Sequence, residues 1–384
     1  MIDMNPVLVL FALSAIVLAA LCLEARVVAF KKLGAAATAI LTALVLSNVG
    51  LLPGTSPVYD FLMGRAVIGG VILVLLSVNL SSLRDAGRTM LLAFAIGAVG
   101  SAVGAVVMAR LVNGAVGPDT WKLSGQFTAT YIGGGMNYAA VGQELQTRSD
   151  LFAAGIAADV IVTAIWLVAC LVIPELFPRR QDGASDPAAT RAPAQPEAAQ
   201  GLAARLRSSV EPMTLVDFAG LTFVTLGTIW ASDVVTDWWP AVPRVIWLTT
   251  IALAVAQVPI VRTLSGSVVL GNFLLLLFLA SNGAKSVIAN IVAVGPAIFY
   301  FASGTVAIHG VIIFGLGRLL KMNGDVLSIA SQANVGGATT AMSLAAARRR
   351  PDLILPGVAV GMLGNALGNY AGIAVAYVSK SLIG

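Results

Sequence analysis

Long apolar runs recur about every 25 to 35 residues along most of the chain, separated by short polar stretches, which is the pattern of repeated membrane crossing. Ten of these runs are candidate crossings. They are Pro6–Leu23, Leu33–Leu52, Tyr59–Leu80, Thr89–Val112, Asp150–Leu176, Met213–Ser232, Pro243–Arg262, Leu270–Asn282, Val294–Leu320 and Leu353–Val378. The pattern predicts an all-α polytopic membrane protein with about ten transmembrane helices.

Two further segments are interrupted by glycine, and each precedes the last crossing of its half. They are Leu123–Leu145, which contains Gly133-Gly134-Gly135, and Val326–Ala346, which contains Gly336-Gly337. Glycine is the poorest ordinary helix former, so we expect both segments to be broken at these positions. They are either re-entrant hairpins or discontinuous crossing helices, since both look alike in sequence.

The composition changes sharply between the two sets of crossings. The stretch from Pro178 to Ser209 includes RRQDGASDPAATRAPAQPEAAQ and is rich in Ala, Pro, Gln, Asp and Arg. Such a stretch buries too little apolar surface to fold, so residues 177–212 are predicted to be a flexible cytoplasmic linker. The linker divides the chain into two halves, residues 1–176 and 213–384.

The two halves are predicted to be repeats of opposite orientation. Gly133-Gly134 recurs 203 positions later as Gly336-Gly337, and Asn79 recurs at the same spacing as Asn282. If both broken segments are hairpins, each half has five crossings, and the second half is inverted relative to the first. With the N-terminus outside, this topology places sixteen of the 23 Lys and Arg residues inside. That distribution agrees with the positive-inside rule and favours inverted repeats.

Composition narrows the class of protein. Of the 384 residues, 58% are hydrophobic and 11% are charged, whereas about 25% are charged in soluble domains. The net charge of +5 is attributed to cytoplasmic loops, because no basic cluster contains the interleaved aromatic residues that nucleic-acid binding would require. One histidine excludes a His-based metal cluster, and the two cysteines lie inside apolar runs. We expect no cofactor apart from a coupling ion.

Met1 to Asn5 has no Lys or Arg, unlike a signal peptide, so Pro6–Leu23 is interpreted as the first mature helix. The expected location is the plasma membrane, as a multi-pass protein of a bacterial inner membrane. The lipid bilayer and a small-molecule solute are the expected partners.

Polar side chains crowd the two glycine breaks. A break at mid-membrane leaves N–H groups that attract anions and carbonyl groups that hold cations. We predict a substrate site that is shared by the two breaks. Its residues are Thr130, Tyr131, Gly133, Gly134, Asn137, Asn334, Gly336, Gly337, Thr339 and Thr340. The alternative is helix packing through small and hydroxyl residues, which does not explain the Asn, Gln and Tyr side chains.

Asp159 lies nine residues beyond Asp150, about 13 Å along a helix axis, which places it near the bilayer centre. An acidic side chain at that depth is costly and is usually functional. We therefore predict that Asp159 binds a coupling cation, Na⁺ or H⁺, with Gln332, Asn365 and Asn369. The alternative is an acid that pairs with a hydroxyl group for structure. His309 is interpreted as a packed, hydrogen-bonded residue rather than a proton carrier.

At TATYIGGGMNYAAV and SQANVGGATTAMSLAAA the chain resembles the YjcL-like family of uncharacterised membrane proteins. The Ala-Ala-Asp string that ends at Asp159 matches the same family, although Val160 stands where a polar residue is expected. The family is distantly similar to bile-acid/sodium symporters, sodium–glutamate symporters and cation–proton antiporters. The resemblance implies an inverted-repeat fold of two domains, a homodimer and elevator-type movement. It also implies substrate binding at the glycine-rich tips, through Gly133, Gly134, Asn137, Asn334, Gly336, Gly337, Thr339 and Thr340.

We therefore expect a secondary active transporter that couples Na⁺ or H⁺ to a small polar or anionic organic solute. The first alternative is a cation–proton antiporter without an organic solute, although only one intramembrane acid is evident in the sequence. A membrane enzyme is disfavoured, because no crossing contains paired carboxylates, a Cys/His pair or a metal cluster. A scaffold or receptor without transport activity would have no solvent path to the tips.

Overall fold

The computed structural model describes residues 5–80, 83–176 and 213–383, and all regular structure in these ranges is helical. Thirteen helices are labelled α1 to α13. They are α1 Pro6–Arg26, α2 Val28–Asn48, α3 Pro57–Leu75, α4 Leu83–Val116, α5 Thr120–Gly133, α6 Gly135–Glu144, α7 Ser149–Val172, α8 Leu215–Trp238, α9 Arg244–Ala256, α10 Ser267–Lys285, α11 Ile288–Leu319, α12 Gly324–Ala347 and α13 Ile354–Ile383.

The prediction of an all-α polytopic membrane protein is confirmed. Eight helices in the described residues are long and apolar enough to cross a membrane, and two shorter apolar helices, Leu33–Asn48 and Arg244–Ala256, complete the ten predicted crossings. The predicted linker, residues 177–212, lies outside the described residues.

Some helix boundaries differ from the prediction, among them the end of α1 and the start of α11. Helix α1 continues three residues past the predicted Leu23, so Glu24 belongs to the helix and is buried. Helix α11 begins at Ile288, six residues before the predicted Val294, and it contains Pro296. In both cases a polar or helix-breaking residue near the helix end made the predicted helix one or two turns too short.

The first broken segment is a re-entrant hairpin, which we call hairpin 1 and which consists of α5 and α6. Gln126 Nε2 donates to the carbonyl oxygen of Tyr138 at 3.3 Å, and Lys122 Nζ donates to that of Gln146 at 3.2 Å. A straight helix would separate Lys122 and Gln146 by about 36 Å. The two arms therefore run back along each other on either side of Gly134.

The second broken segment, α12, is also a re-entrant hairpin, which we call hairpin 2. Its arms are residues 324–336 and 338–347. Asp325, near the start of the first arm, forms ion pairs of 2.9 Å with both Arg348 and Arg350, just beyond the end of the second arm. These ion pairs fasten the open end of the hairpin.

The two hairpins open toward opposite ends of α7. This helix begins at Ser149, a few residues after hairpin 1 ends. At the other end of α7, Arg348 of hairpin 2 donates to the carbonyl oxygen of Leu171 at 3.1 Å and pairs with Glu175 at 2.7 Å. From Ser149 to Leu171 the helix rises about 33 Å. Hairpins that enter from opposite faces are what inverted repeats require.

The helices form two groups. The scaffold group contains α1, α2, α3, α8, α9 and α10, and the hairpin group contains α4, α5, α6, α7, α11, α12 and α13. In the scaffold group, Leu13 of α1, Ala39 of α2 and Leu277 of α10 belong to one buried apolar cluster. The scaffold group thus consists of the first three helices of each half.

Packing within the two groups follows a repeated pattern. Helices α4 and α11 pack against each other, and each also packs on the last helix of the other half, α4 on α13 and α11 on α7. In the scaffold group, α2 packs on α10 as α9 packs on α3. Such reciprocal packing of corresponding helices is what a two-fold relation between the halves requires. The division into repeats at residues 1–176 and 213–384 stays a prediction.

Candidate functional site

The tips of both hairpins are set by a glycine in a backbone conformation that other residues avoid. Gly134 has φ 87° and ψ 178°, and Gly337 has φ 80° and ψ −175°. This region of backbone space is open essentially only to glycine. Each glycine ends one arm and allows a new helix to begin at once, which places a helix N-terminus at each tip.

Both tips rest on the same turn of α13. A Cβ atom on Gly364 would collide with the carbonyl oxygen of Ile132 in hairpin 1, and a Cβ atom on Gly361 would collide with the backbone of Ala338 in hairpin 2. Gly361 and Gly364 are about 4.5 Å apart along the helix axis. The absence of side chains at Gly361 and Gly364 therefore lets both tips pack directly against the backbone of α13.

One cavity of about 840 Å³ receives both tips and lies between the hairpin group and the scaffold group. The hairpin group contributes both tips, Asp159 of α7 and Asn365 of α13. The scaffold group contributes Glu24 of α1, residues 33–36 of α2 and part of α10. Tip residues in the lining are Gly133, Gly134, Gly135, Met136, Gly336, Gly337, Ala338, Thr339 and Thr340.

The cavity extends toward one face of the protein. Ser343 lies toward the open end of hairpin 2, Leu33 lies near the start of α2 and Val268 lies at the start of α10, and all three line the cavity. The opening is therefore on the side where hairpin 2 is fastened to Glu175. The positive-inside count predicts that this side faces the cytoplasm.

Two helix N-termini face the cavity. Helix α6 begins at Gly135, and the second arm of hairpin 2 begins at residue 338. The N–H groups in the first turn of a helix have no partner within that helix, and they carry its partial positive charge. Gly135, Met136, Ala338 and Thr339 all line the cavity, so the first N–H groups of two helices lie at its surface.

Asp159 lies at the side of this cavity, among hydroxyl groups. Thr163 Oγ1, one turn further along α7, donates to Asp159 Oδ1 at 3.4 Å. The hydroxyls of Thr130 and Tyr131 face the same carboxylate, although neither is in hydrogen-bonding geometry with it. A carboxylate surrounded by three hydroxyl oxygens is a suitable oxygen-ligand set for a small cation.

Buried polar atoms without partners surround the tips. Thr130 Oγ1, Tyr131 OH, Asn137 Oδ1 and both amide atoms of Gln332 have no hydrogen-bond partner among the described residues, and each of these residues is at most 1% exposed. The amide nitrogen of Asn137 donates to the carbonyl oxygen of Asn365 at 3.0 Å, which directs this residue toward α13. Buried polar groups are normally paired, so these unpaired atoms set the region behind the tips apart from the surrounding helix packing.

His309 connects the two hairpins through hydrogen bonds. Ser101 Oγ donates to the carbonyl oxygen of Tyr131 at 2.7 Å and lies 3.0 Å from His309 Nδ1. Nδ1 also lies 2.8 Å from the carbonyl oxygen of Gly97, which can only accept, so Nδ1 carries the proton. Nε2 then accepts from Ser331 Oγ in hairpin 2 at 2.8 Å. The interpretation of His309 as a packed, hydrogen-bonded residue is confirmed.

Besides Asn137, three further predicted site residues point away from the cavity. Asn334 is buried against α4, where its amide nitrogen, in the better-bonded orientation, lies 3.3 Å from the carbonyl oxygen of Phe94. Asn369 donates to Thr249 Oγ1 of α9 at 2.8 Å and joins the hairpin group to the scaffold group. Gln332 packs behind the tip of hairpin 2, beside Gly336. Their depth in the membrane was predictable, but the rotation of each side chain about its helix was not.

Two residues of the cavity were not singled out from the sequence. Glu24 is 5% exposed and lines the scaffold wall, and Asn272 of α10 lines the same wall. The amide nitrogen of Asn272 donates to the carbonyl oxygen of Val268 at 2.7 Å, which fixes the amide. An acid inside the last turn of an otherwise apolar helix was the available signal for Glu24, but the predicted helix stopped one residue short of it.

Sequence comparison agrees with this architecture. Residues 8–382 match a protein family of unknown function, DUF819. The chain belongs to the DUF819 family. It is also 27% identical over 344 residues to the uncharacterized membrane protein YjcL of Bacillus subtilis (strain 168), an alignment that covers 87% of each chain. The predicted resemblance to the YjcL-like family is confirmed, and the DUF819 match spans both hairpins and the cavity between them.

Proposed function

We propose that this multi-pass membrane protein is a secondary active transporter, which couples Na⁺ or H⁺ to the movement of a small polar or anionic organic solute across the bacterial inner membrane. One observation carries the proposal. Two hairpin tips, entering from opposite faces, meet Asp159 in a single cavity of about 840 Å³ that lies between two groups of helices. A membrane protein with only a structural role has no need for unpaired helix ends and buried polar atoms at that place.

In this proposal the hairpin tips bind the solute and Asp159 binds the cation. The N–H groups at Gly135 and Ala338 suit the negative or polar end of a solute. Asp159, with the hydroxyls of Thr130 and Thr163, suits a cation. Because these groups share one cavity, each ligand neutralises charge that would oppose binding of the other, which is a physical basis for coupling.

The movement that we propose is a displacement of the hairpin group against the scaffold group. Polar links between the groups include Asn369 to Thr249 at 2.8 Å, Tyr370 to Thr250 at 2.7 Å and the Ser286 hydroxyl to the carbonyl oxygen of Ser149 at 2.9 Å. These links join the two groups to each other. Within the hairpin group, packing on α13 and the hydrogen bonds of His309 hold both hairpins in place. The solute would therefore travel with the tips, and this structure corresponds to the state that is open to the cytoplasm.

A cation–proton antiporter is the second candidate, and Glu24 is the observation that favours it. The sequence suggested a single intramembrane acid, whereas the structure places two carboxylates, Glu24 and Asp159, on the lining of one cavity. Two acids can exchange cations for protons without an organic solute.

Ion flux into proteoliposomes tests both candidates. Radioactive Na⁺ uptake and a trapped pH dye are followed with the wild type, Asp159→Asn and Asp237→Asn, which removes an exposed carboxylate at the end of α8. A coupled carrier moves an ion only when L-alanine, succinate or butyrate is added, and an antiporter moves it with an opposing ion gradient alone. We expect Asp159→Asn to abolish the flux and Asp237→Asn to preserve it. Unchanged flux in Asp159→Asn would contradict the coupling role.

A further inference from the structure

Glu24 is a buried acid in the wall of the scaffold group, and nothing in the described structure neutralises it. It is 5% exposed, and its Oε2 atom has no hydrogen-bond partner among the described residues. It lines the cavity that receives both hairpin tips. A buried carboxylate without a partner is unfavourable unless a ligand completes its bonding.

The cavity as a whole is acidic. Among the described residues that line it, Glu24 and Asp159 are the carboxylic acids, and there is no Lys, Arg or His. The two acids belong to different groups of helices, Glu24 to the scaffold group and Asp159 to the hairpin group. A purely anionic solute that enters with one cation would leave one of these two negative charges without compensation.

The cavity also contains groups that suit an anion, namely the N–H groups at Gly135 and Ala338. It therefore offers two kinds of binding group, one for negative charge at the tips and one for positive charge at the scaffold wall. Asn272, also on the scaffold wall, adds a polar amide whose orientation is fixed by its bond to Val268.

We propose that the solute is a small zwitterion, in which an ammonium group binds Glu24 while a carboxylate binds the N–H groups of the hairpin tips. This inference rests on the proposed transport function and names the class of its substrate. The ammonium group neutralises Glu24 while the coupling cation neutralises Asp159. Because Glu24 stays with the scaffold group, it contributes to binding only in the conformation described here, which favours release of the solute once the hairpin group moves.

A second inorganic cation could provide the same positive charge at Glu24, and the experiment separates these two sources. Purified full-length protein is heated with matched pairs of compounds that differ by an amino group. The pairs are L-alanine and propionate, γ-aminobutyrate and butyrate, and L-glutamate and glutarate. Each pair is measured in NaCl and in KCl, with the wild type, Glu24→Gln, Asp159→Asn and the exposed control Asp237→Asn.

For at least one pair we expect the amino compound to raise the melting temperature at a concentration at least tenfold lower than its partner. Glu24→Gln removes this difference, and Asp237→Asn preserves it. Comparison within a pair uses the wild type alone, so the test holds even where Glu24→Gln does not fold.

If carboxylates bind as well as amino compounds, and do so only with Asp159 intact, the zwitterion proposal is wrong and the transport proposal stands. If Glu24→Gln instead removes only the difference in melting temperature between NaCl and KCl, the inorganic source is right and the zwitterion is again wrong. If no compound of either class has an effect in either salt, both proposals fail.

Discussion

His309 Nε2 lies 2.8 Å from the hydroxyl oxygen of Ser331, and this hydrogen bond joins α11 to the first arm of hairpin 2. Trp166 Nε1 of α7 donates to the same hydroxyl at 2.9 Å. On its other side, His309 reaches Ser101, which holds the carbonyl oxygen of Tyr131 in hairpin 1. The two hairpins, which enter from opposite faces, are thus joined by one buried chain of hydrogen bonds.

Removing His309 is expected to cost more stability than removing a single donor from this chain. His309→Ala removes the contacts of the imidazole with Ser101, Gly97 and Ser331 and leaves a cavity, and we expect a loss of about 3 kcal/mol in the free energy of unfolding. Trp166→Phe removes one donor and is expected to cost about 1 kcal/mol. Tyr300→Phe, on a side chain that is 66% exposed, is the control and is expected to stay within about 0.5 kcal/mol of the wild type. Denaturant unfolding in detergent measures all three, and equal values for His309→Ala and Tyr300→Phe would refute the chain's role.

The contact between hairpin 1 and α13 predicts that Gly364→Ala stops transport. The new Cβ atom would collide with the backbone carbonyl of Ile132, which cannot turn aside as a flexible side chain would. The tip must then move away from the cavity, and we expect ion flux to fall at least tenfold. Gly227→Ala is the matched control, because a Cβ atom on this glycine of α8 meets nothing within 4 Å. Wild-type flux in Gly364→Ala would show that the tip does not depend on this contact.

At the tip of hairpin 1, the effect of backbone strain can be separated from the effect of adding a methyl group. A Cβ atom on Gly134 or on Gly135 meets nothing within 4 Å, but only Gly134 has a positive φ, of 87°. Gly134→Ala is therefore expected to lower the free energy of unfolding by about 1 to 3 kcal/mol through strain alone. Gly135→Ala is expected to change it by less than about 0.5 kcal/mol. Denaturant unfolding of the two variants makes the comparison, and an equal loss in both would mean that strain at Gly134 is not the cause.

The features that could be predicted from the sequence are those fixed by local chemistry. Two glycines with positive φ break their helices because no other residue takes that conformation easily, and Asp159 lies near the middle of α7 because helices rise by a constant amount per residue. The partners of Asn334 and Asn369 depend on how each helix is rotated against its neighbours, which one sequence does not specify. Glu24 was missed because the predicted first helix ended one residue before it, and because its position in the cavity depends on contacts between helices that are distant in the chain.

The cavity predicts which tip residues a water-soluble reagent reaches, and from which side. Thr339 is exposed in the cavity, whereas Asn137 is 0% exposed behind the tip of hairpin 1. In a Cys22→Ser background, which leaves only the buried Cys170, we expect Thr339→Cys to react with a membrane-impermeant thiol reagent in inside-out vesicles. In right-side-out vesicles it is expected to react at least tenfold more slowly, because the opening lies on the side of the fastened end of hairpin 2. Asn137→Cys is the matched control and is expected to stay unlabelled in both. Faster labelling of Thr339→Cys from the outside would reverse the assigned orientation, and equal labelling at both positions would mean that the two tips do not differ in their access to water.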